Sequence, residues 1–187
     1  MEQKKEPATE QRIFGKPVIN QVVLQRRIQK LGHQISQDYV RKDLILVGVL
    51  KGAFAFYADL ARAISIPLTV DFLLVTSRGS SARGRKQIKV VSDLTVDIKG
   101  RDVLLVEDII DSGLTVKSLL KRLQAREPNS LKVCAMLDKP SRRKVEVAID
   151  YVGFTIPNKY VVGFGLDYEN NYRNLPYLAV LEQLQFE

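Results

Sequence analysis

Residues 104–116 read LLVEDIIDSGLTV: an apolar run, then Glu107, Asp108 and Asp111 as three carboxylates within five positions, then a turn of small residues. The apolar run, with Arg101-Asp102-Val103 ahead of it, predicts a buried strand over 101–108. Beyond the turn, Val116, Leu119, Leu120 and Leu123 return at helical spacing, and Pro128-Asn129 predicts the end of that helix. The stretch therefore reads as strand, turn, helix, and the same alternation continues outward in both directions. Leu24, Ile28, Leu31 and Ile35 mark an amphipathic helix within 20–39, LILVGVL (44–50) a strand, and AFAFYADLARAI (53–64) a second helix packing Phe56, Leu60 and Ile64. LTVDFLLVT (68–76) reads as a strand after Pro67, and IKVVSD (88–93) as a short returning one. Further strands are expected in LKVCAML (131–137), KVEVAIDYVGF (144–154) and YVVGFG (160–165). Strands alternating with helices predict an α/β fold with a mainly parallel twisted sheet flanked by helices.

With 187 residues, 45% of them hydrophobic, the chain suits a single domain over 1–187, with no internal repeat or second boundary. Residues 1–16 read as a loose tail, and 77–87, rich in Gly, Ser and Arg, as a mobile loop. The longest apolar runs fall far short of the ~20 residues that span a bilayer, so no membrane association is expected. The polar N-terminus carries no visible secretory signal, and Cys134 is the single cysteine, so the expected location is the cytoplasm.

The net charge of +8 favours polyanionic partners. It is concentrated: Arg78, Arg83, Arg85, Lys86 and Lys89 occur between 77 and 90 without an acid, and KPSRRK (139–144) adds four more cations. In an open α/β sheet the ligand crevice lies at the carboxyl ends of the strands, where Glu107, Asp108 and Asp111 fall. Helix capping could account for Asp111 or Ser112. It leaves unexplained Glu107 and Asp108, which end an apolar strand and repel each other without a cation. The DSGLT turn can wrap a phosphate with backbone N–H groups at a helix N-terminus. Glu107 and Asp108 can hold vicinal sugar hydroxyls or a hard cation such as Mg²⁺. Together these point to a phosphorylated sugar. A Walker A loop and a GxGxxG fingerprint are both absent.

VLLVEDIIDSGLT resembles the phosphoribosyl pyrophosphate (PRPP) signature of type I phosphoribosyltransferases. VGVLKGAFAFYADL is similar to the pyrophosphate loop of the hypoxanthine/guanine branch, and LDKPSRRKVEVAIDYVGFTIPNKYVVGFGLDYENNYRNLPY to its purine-binding hood. The resemblance implies the type I fold with a small hood built from terminal segments, 139–187 contributing to it. It also implies transfer of 5-phosphoribosyl from PRPP to hypoxanthine or guanine, giving IMP or GMP and pyrophosphate with Mg²⁺, in a homodimer or homotetramer.

The roles it implies are specific. Asp111 is the general base near purine N7. Glu107 and Asp108 hold ribose and metal, Asp167 adds a second metal carboxylate, and Asp111, Ser112, Gly113, Leu114 and Thr115 enclose the 5′-phosphate. Lys51, Gly52 and Arg173 meet pyrophosphate, with Leu50-Lys51 as a non-proline cis peptide. Lys139 donates to a 6-oxo group, Tyr160 stacks on the base, and the Val161 carbonyl reads the 2-amino group. Two positions depart from the family pattern. Leu114 stands where a cation is often found, and Ser77 in the mobile loop is followed by Arg78 rather than tyrosine. The competing class is an RNA-binding regulator on the same fold, which +8 would suit. The purine-hood motifs, and cations placed beside the substrate site, make nucleic acid the weaker expectation.

Overall fold

The computed structural model describes residues 14–78 and 87–181. The central sheet has six strands: β2 (Leu44–Leu50), β3 (Thr69–Arg78), β4 (Gln87–Ser92), β5 (Asp102–Ile110), β6 (Ser130–Asp138) and β7 (Tyr151–Thr155). Their order is β4-β3-β2-β5-β6-β7, all neighbours parallel except the antiparallel β3–β4 pair at one edge. The mainly parallel sheet is thus as expected, including the returning strand.

Helices cover both faces, and the period of two along each strand decides which side chain meets which helix. Leu44, Leu46, Leu104, Val106, Cys134 and Met136 form one core with Leu24, Ile28, Leu31 and Ile35 of α1 (Gln21–Asp38) and Phe56 and Leu60 of α2 (Phe54–Ala63). Ile45, Val47, Val103, Leu105, Val133 and Ala135 face the other way, onto Val116, Leu119 and Leu123 of α3 (Leu114–Gln124). Strands buried on both faces show no polar alternation, which is why these stretches read as continuous apolar runs. Helix α1 starts where Asn20 Oδ1 accepts from Val23 N at 3.0 Å.

A second, three-stranded antiparallel sheet joins the two ends of the chain: β1 (Phe14–Ile19), β9 (Leu178–Leu181) and β8 (Val161–Val162), in the order β1-β9-β8. This is the hood. Its first strand begins at Phe14, inside the segment read as a tail. The pairing Phe14↔Leu181 spans nearly the whole chain and leaves no local signature.

Other boundaries moved for similar reasons. Strand β5 runs on to Ile110, since Ile109 and Ile110 pair with Leu137 and Asp138 of β6; Glu107 and Asp108 are therefore inside the strand rather than its last residues. Helix α3 stops at Gln124, short of Pro128, through a tight turn with Glu127 at φ 56°. Of the strand expected over 144–154, only the last four residues are strand, within β7 (Tyr151–Thr155). Of the loop at 77–87, Ser77 and Arg78 close β3 and Gln87 opens β4; 79–86 lie outside the described residues.

Candidate active site

Between the carboxyl ends of β5 and β6 and the hood lies a cleft of about 680 Å³ lined by Asp108, Ile109, Asp111, Lys139, Arg142, Asn158, Lys159, Tyr160, Val161, Leu166 and Asp167. Six of the expected site residues (Asp108, Asp111, Lys139, Tyr160, Val161 and Asp167) are thus brought to one cavity. The expected glycine-led turn forms as well. Gly113 takes φ +80°, a left-handed conformation that glycine adopts without penalty, and a side chain there would meet the Val145 carbonyl at 2.9 Å. Helix α3 starts on the next residue, Leu114, so its first-turn amides lack intrahelical acceptors.

Glu107 is only 5% exposed and does not line the cleft. Burial, then the neighbouring Asp108 carboxylate, pushes its carboxyl well above the ordinary range. Burial also raises Asp108, against the hydrogen bond its Oδ1 accepts from Ile109 N at 2.8 Å and the positive charge of Arg173. Behind Asp108 runs the turn after β2, which holds a cis peptide at Leu50–Lys51, as expected. A side chain at position 52 would sit 1.8 Å from Asp108 Oδ2, so only glycine lets this backbone approach the carboxylate. Lys51 is exposed beside it.

Asp111 sits in the turn itself, its Oδ1 accepting from Arg142 Nε at 3.1 Å. Lys139 follows β6 and is 7% exposed. Burial pushes its ammonium below the ordinary value, Asp111 pulls it back up, and Arg142 pushes it further down. A buried cation aimed at this cleft is placed to donate to a neutral acceptor on a ligand.

The hood supplies the opposite wall. Tyr160 is 54% exposed, and its hydroxyl donates to the Asp167 carbonyl at 3.0 Å. Asp167 pairs with Arg173 at 2.7 Å and accepts from Asn170 N at 2.8 Å; Arg173 also donates to the Gly165 carbonyl at 2.7 Å. Asp167 and Arg173, expected as separate contacts to metal and pyrophosphate, are here partners in one ion pair.

Among the described residues, no three His, Cys, Asp or Glu side chains form a ready-made metal cage. Buried Glu107 and half-buried Asp108 nevertheless sit side by side, burial pushing both carboxyls up, so a cation there would favour their charged forms. That fits Mg²⁺, which is commonly held by one or two carboxylates together with substrate phosphates.

Arg142, Asn158 and Lys159 line the cleft without having been singled out. Arg142 lay within the KPSRRK patch, where charge alone was the signal. Asn158 and Lys159 stand immediately before Tyr160 in NKYVV, and their sequence carries no other mark.

The phosphoribosyl transferase domain family matches residues 20–169. The chain is 47% identical to the hypoxanthine phosphoribosyltransferase of Salmonella typhimurium over 164 residues, 87% of this chain and 92% of that one. It is 42% identical to the hypoxanthine-guanine phosphoribosyltransferase of Bacillus subtilis over 172 residues, 92% and 96% of the two chains. Among solved structures, the hypoxanthine phosphoribosyltransferase of Staphylococcus aureus superposes with a TM-score of 0.88 at 38% identity, covering 95% of this chain and 97% of that one. The hypoxanthine-guanine enzyme of Bacillus anthracis gives 0.86 at 40% identity, with 90% and 99% covered.

Proposed function

The chain belongs to the phosphoribosyltransferase family, in its hypoxanthine/guanine branch, and from that premise we propose how its cleft moves 5-phosphoribosyl from PRPP to hypoxanthine or guanine. A purine ring nitrogen forms a bond to C1 of the ribose, the C1–pyrophosphate bond breaks, and the ring gives up a proton. The products are IMP or GMP and pyrophosphate.

The observation that carries the assignment is the shared cleft of Asp111, Lys139, Tyr160 and Val161. A carboxylate and an ammonium from adjacent strand ends can meet N7 and the 6-oxo group of one ring. Asp111 accepts the proton near N7. Lys139 donates to the 6-oxo group and disfavours adenine, whose 6-amino group is itself a donor. Tyr160 stacks on the base, and the Val161 carbonyl meets the 2-amino group of guanine. The amides of Ser112, Gly113, Leu114 and Thr115 bind the 5′-phosphate without a cation at Leu114. Lys51, Gly52 and Arg173 receive the pyrophosphate, and Arg78, after Ser77, offers it a further positive charge. Glu107, Asp108 and Asp167 would hold ribose hydroxyls and Mg²⁺, which supplies charge neutralisation for the leaving group. A homodimer or homotetramer in the cytoplasm completes the reading; among the described residues no helix is long and apolar enough to cross a membrane.

The test is nucleotide formation from PRPP with hypoxanthine, guanine, xanthine and adenine in parallel, with and without Mg²⁺. Hypoxanthine and guanine should turn over, only with Mg²⁺, and Asp111→Asn should lose about 10²–10⁴-fold in kcat. Folded protein that binds PRPP yet converts no base would overturn the reading.

A further inference from the structure

The second arginine of KPSRRK has no part in the reaction described above, yet it makes a dense set of contacts beside the site. Arg143 Nε donates to the Asp111 carbonyl at 3.1 Å, Nη2 reaches the Ile110 carbonyl at 3.4 Å, and Nη2 also pairs with Asp138. Both members of that ion pair are largely buried, with side chains 18% and 17% exposed. Its stem packs under the turn, since a Cβ on Gly113 would lie 3.0 Å from Arg143 Cδ. One guanidinium thus bridges two segments. Ile110 and Asp111 lead into the turn that carries the base. Asp138 ends β6, immediately before Lys139.

We infer that Arg143 is a positioning residue that sets the separation between the Asp111 carboxylate and the Lys139 ammonium, and thereby the preference for a 6-oxopurine. This rests on the roles given to Asp111 and Lys139 above. A 6-oxopurine presents a ring nitrogen and an exocyclic oxygen at fixed separation, so a proton acceptor and a donor must be held at the matching one. They stand on different strands. Lys139 N donates to the Ile110 carbonyl at 3.0 Å, which fixes the strands but leaves the turn beyond Ile110 to be held by other groups. Arg143 holds that turn by the Asp111 carbonyl. Because a guanidinium is planar and forked, lysine cannot reproduce contacts to two carbonyls and a carboxylate. The phosphate half of the turn has its own ties: Lys144 N and Val145 N both donate to the Ser112 carbonyl, at 3.0 and 3.3 Å. Arg143 therefore governs the base more than it governs PRPP.

The experiment compares wild type with Arg143→Lys and with the double variant Arg143→Met/Asp138→Asn, which leaves no buried unpaired carboxylate if the single change unfolds the chain. Steady-state kinetics for hypoxanthine are combined with inhibition constants for hypoxanthine and for unsubstituted purine, which lacks the 6-oxo group, and with PRPP affinity. Thermal midpoints establish that each variant is folded. The expected result is a fall of about 10–100-fold in kcat/KM for hypoxanthine, the scale of a misplaced catalytic group. The advantage of hypoxanthine over purine should drop by about 10-fold, and PRPP affinity should stay within about 3-fold. Wild-type constants in a folded variant would overturn the inference, as would equal weakening of hypoxanthine and purine, the mark of a merely structural role. Asp111→Asn run alongside keeps the two readings apart. If it retains full turnover, the base assignment fails, while the ratio of inhibition constants still reports on Arg143.

Discussion

At Glu107 the requirements of the fold and of the site oppose each other. Its carboxyl is buried and faces a second carboxyl, so its proton affinity in the fold exceeds the ordinary value near 4.5. A group raised in this way adds stability only while protonated. The contribution is complete below about pH 4.5 and disappears as pH rises through the higher folded value. Above the ordinary value the burial of this carboxyl beside Asp108 therefore costs the ligand-free protein stability, a cost that ribose hydroxyls or Mg²⁺ would relieve. Glu107→Gln keeps the shape and removes the charge, so it should raise the melting temperature at pH 8 by roughly 2–4 °C for each kcal/mol recovered. The gain should shrink to nothing as pH approaches 4.5, and turnover should fall. Melting curves from pH 4.5 to 8 measure this; a pH-independent shift would mean that charge is not the cause. At this scale the sequence marked Glu107, Asp108 and Asp111 because three acids beside an apolar run are anomalous. Lys139 became interpretable only through the family motif, since a lysine's burial depends on segments distant in sequence. Arg143 gave no signal beyond its charge, because its role lies in backbone carbonyls 32 and 33 positions away.

Between elements, buried acids fasten what hydrophobic contact alone leaves loose. Asp71, inside β3, accepts hydrogen bonds from Phe72 N, Thr95 N, Thr95 Oγ1 and Val96 N, at 2.7 to 3.2 Å. The last three of these tie the segment after β4 to the sheet. Burial by itself would raise this carboxyl, but the donors hold it below the ordinary range. Here the linkage has the opposite sign to Glu107: the stabilisation is present above about pH 3.8 and is lost as pH falls through the lower folded value. Asp71→Ala removes the buried acceptor of four part-buried hydrogen bonds and should cost about 1–3 kcal/mol, measured as a lower urea midpoint at pH 7. The deficit should narrow in acid. An unchanged midpoint would mean that water replaces the carboxylate. Asp93, accepting from Arg122 and Arg126, likewise joins the end of β4 to α3. The elements themselves were legible wherever burial on both faces produced an unbroken apolar run, as in β2, β5 and β6. The hood strands β1 and β9 were not, since each is short and each is specified by its partner at the other end of the chain.

Over the whole molecule, the excess of +8 takes its meaning from where the cations stand. Arg142, Lys139 and Lys159 line the cleft, and Arg173 and Lys51 stand at positions assigned to pyrophosphate. Several acids that might have offset them are engaged elsewhere: Asp43 with Arg101, Asp93 with Arg122 and Arg126, Asp59 with Arg62. Within the cleft the cations face Asp108, Asp111 and Asp167, with Arg142 paired to Asp111 and Arg173 to Asp167. Long-range attraction of the polyanionic substrate therefore rests on the net excess of +8, while the purine arrives neutral. Screening should separate the two. The Debye length falls from ~10 Å at 0.1 M salt to ~3 Å at 1 M, so attraction of PRPP from outside the cleft weakens over that range while short buried contacts persist. Raising KCl from 50 to 500 mM should increase KM for PRPP several-fold and leave KM for hypoxanthine nearly constant. Steady-state kinetics with each substrate varied in turn measure both. A parallel rise in the two constants would point instead to a general loosening of the site, and constancy of both would confine the useful charge to direct contacts. An RNA-binding role predicts something else again: salt-sensitive retention of RNA by protein whose turnover does not respond to competing polynucleotide. Turnover that RNA inhibits only at low salt, in step with its effect on PRPP, would assign the charge to the substrate.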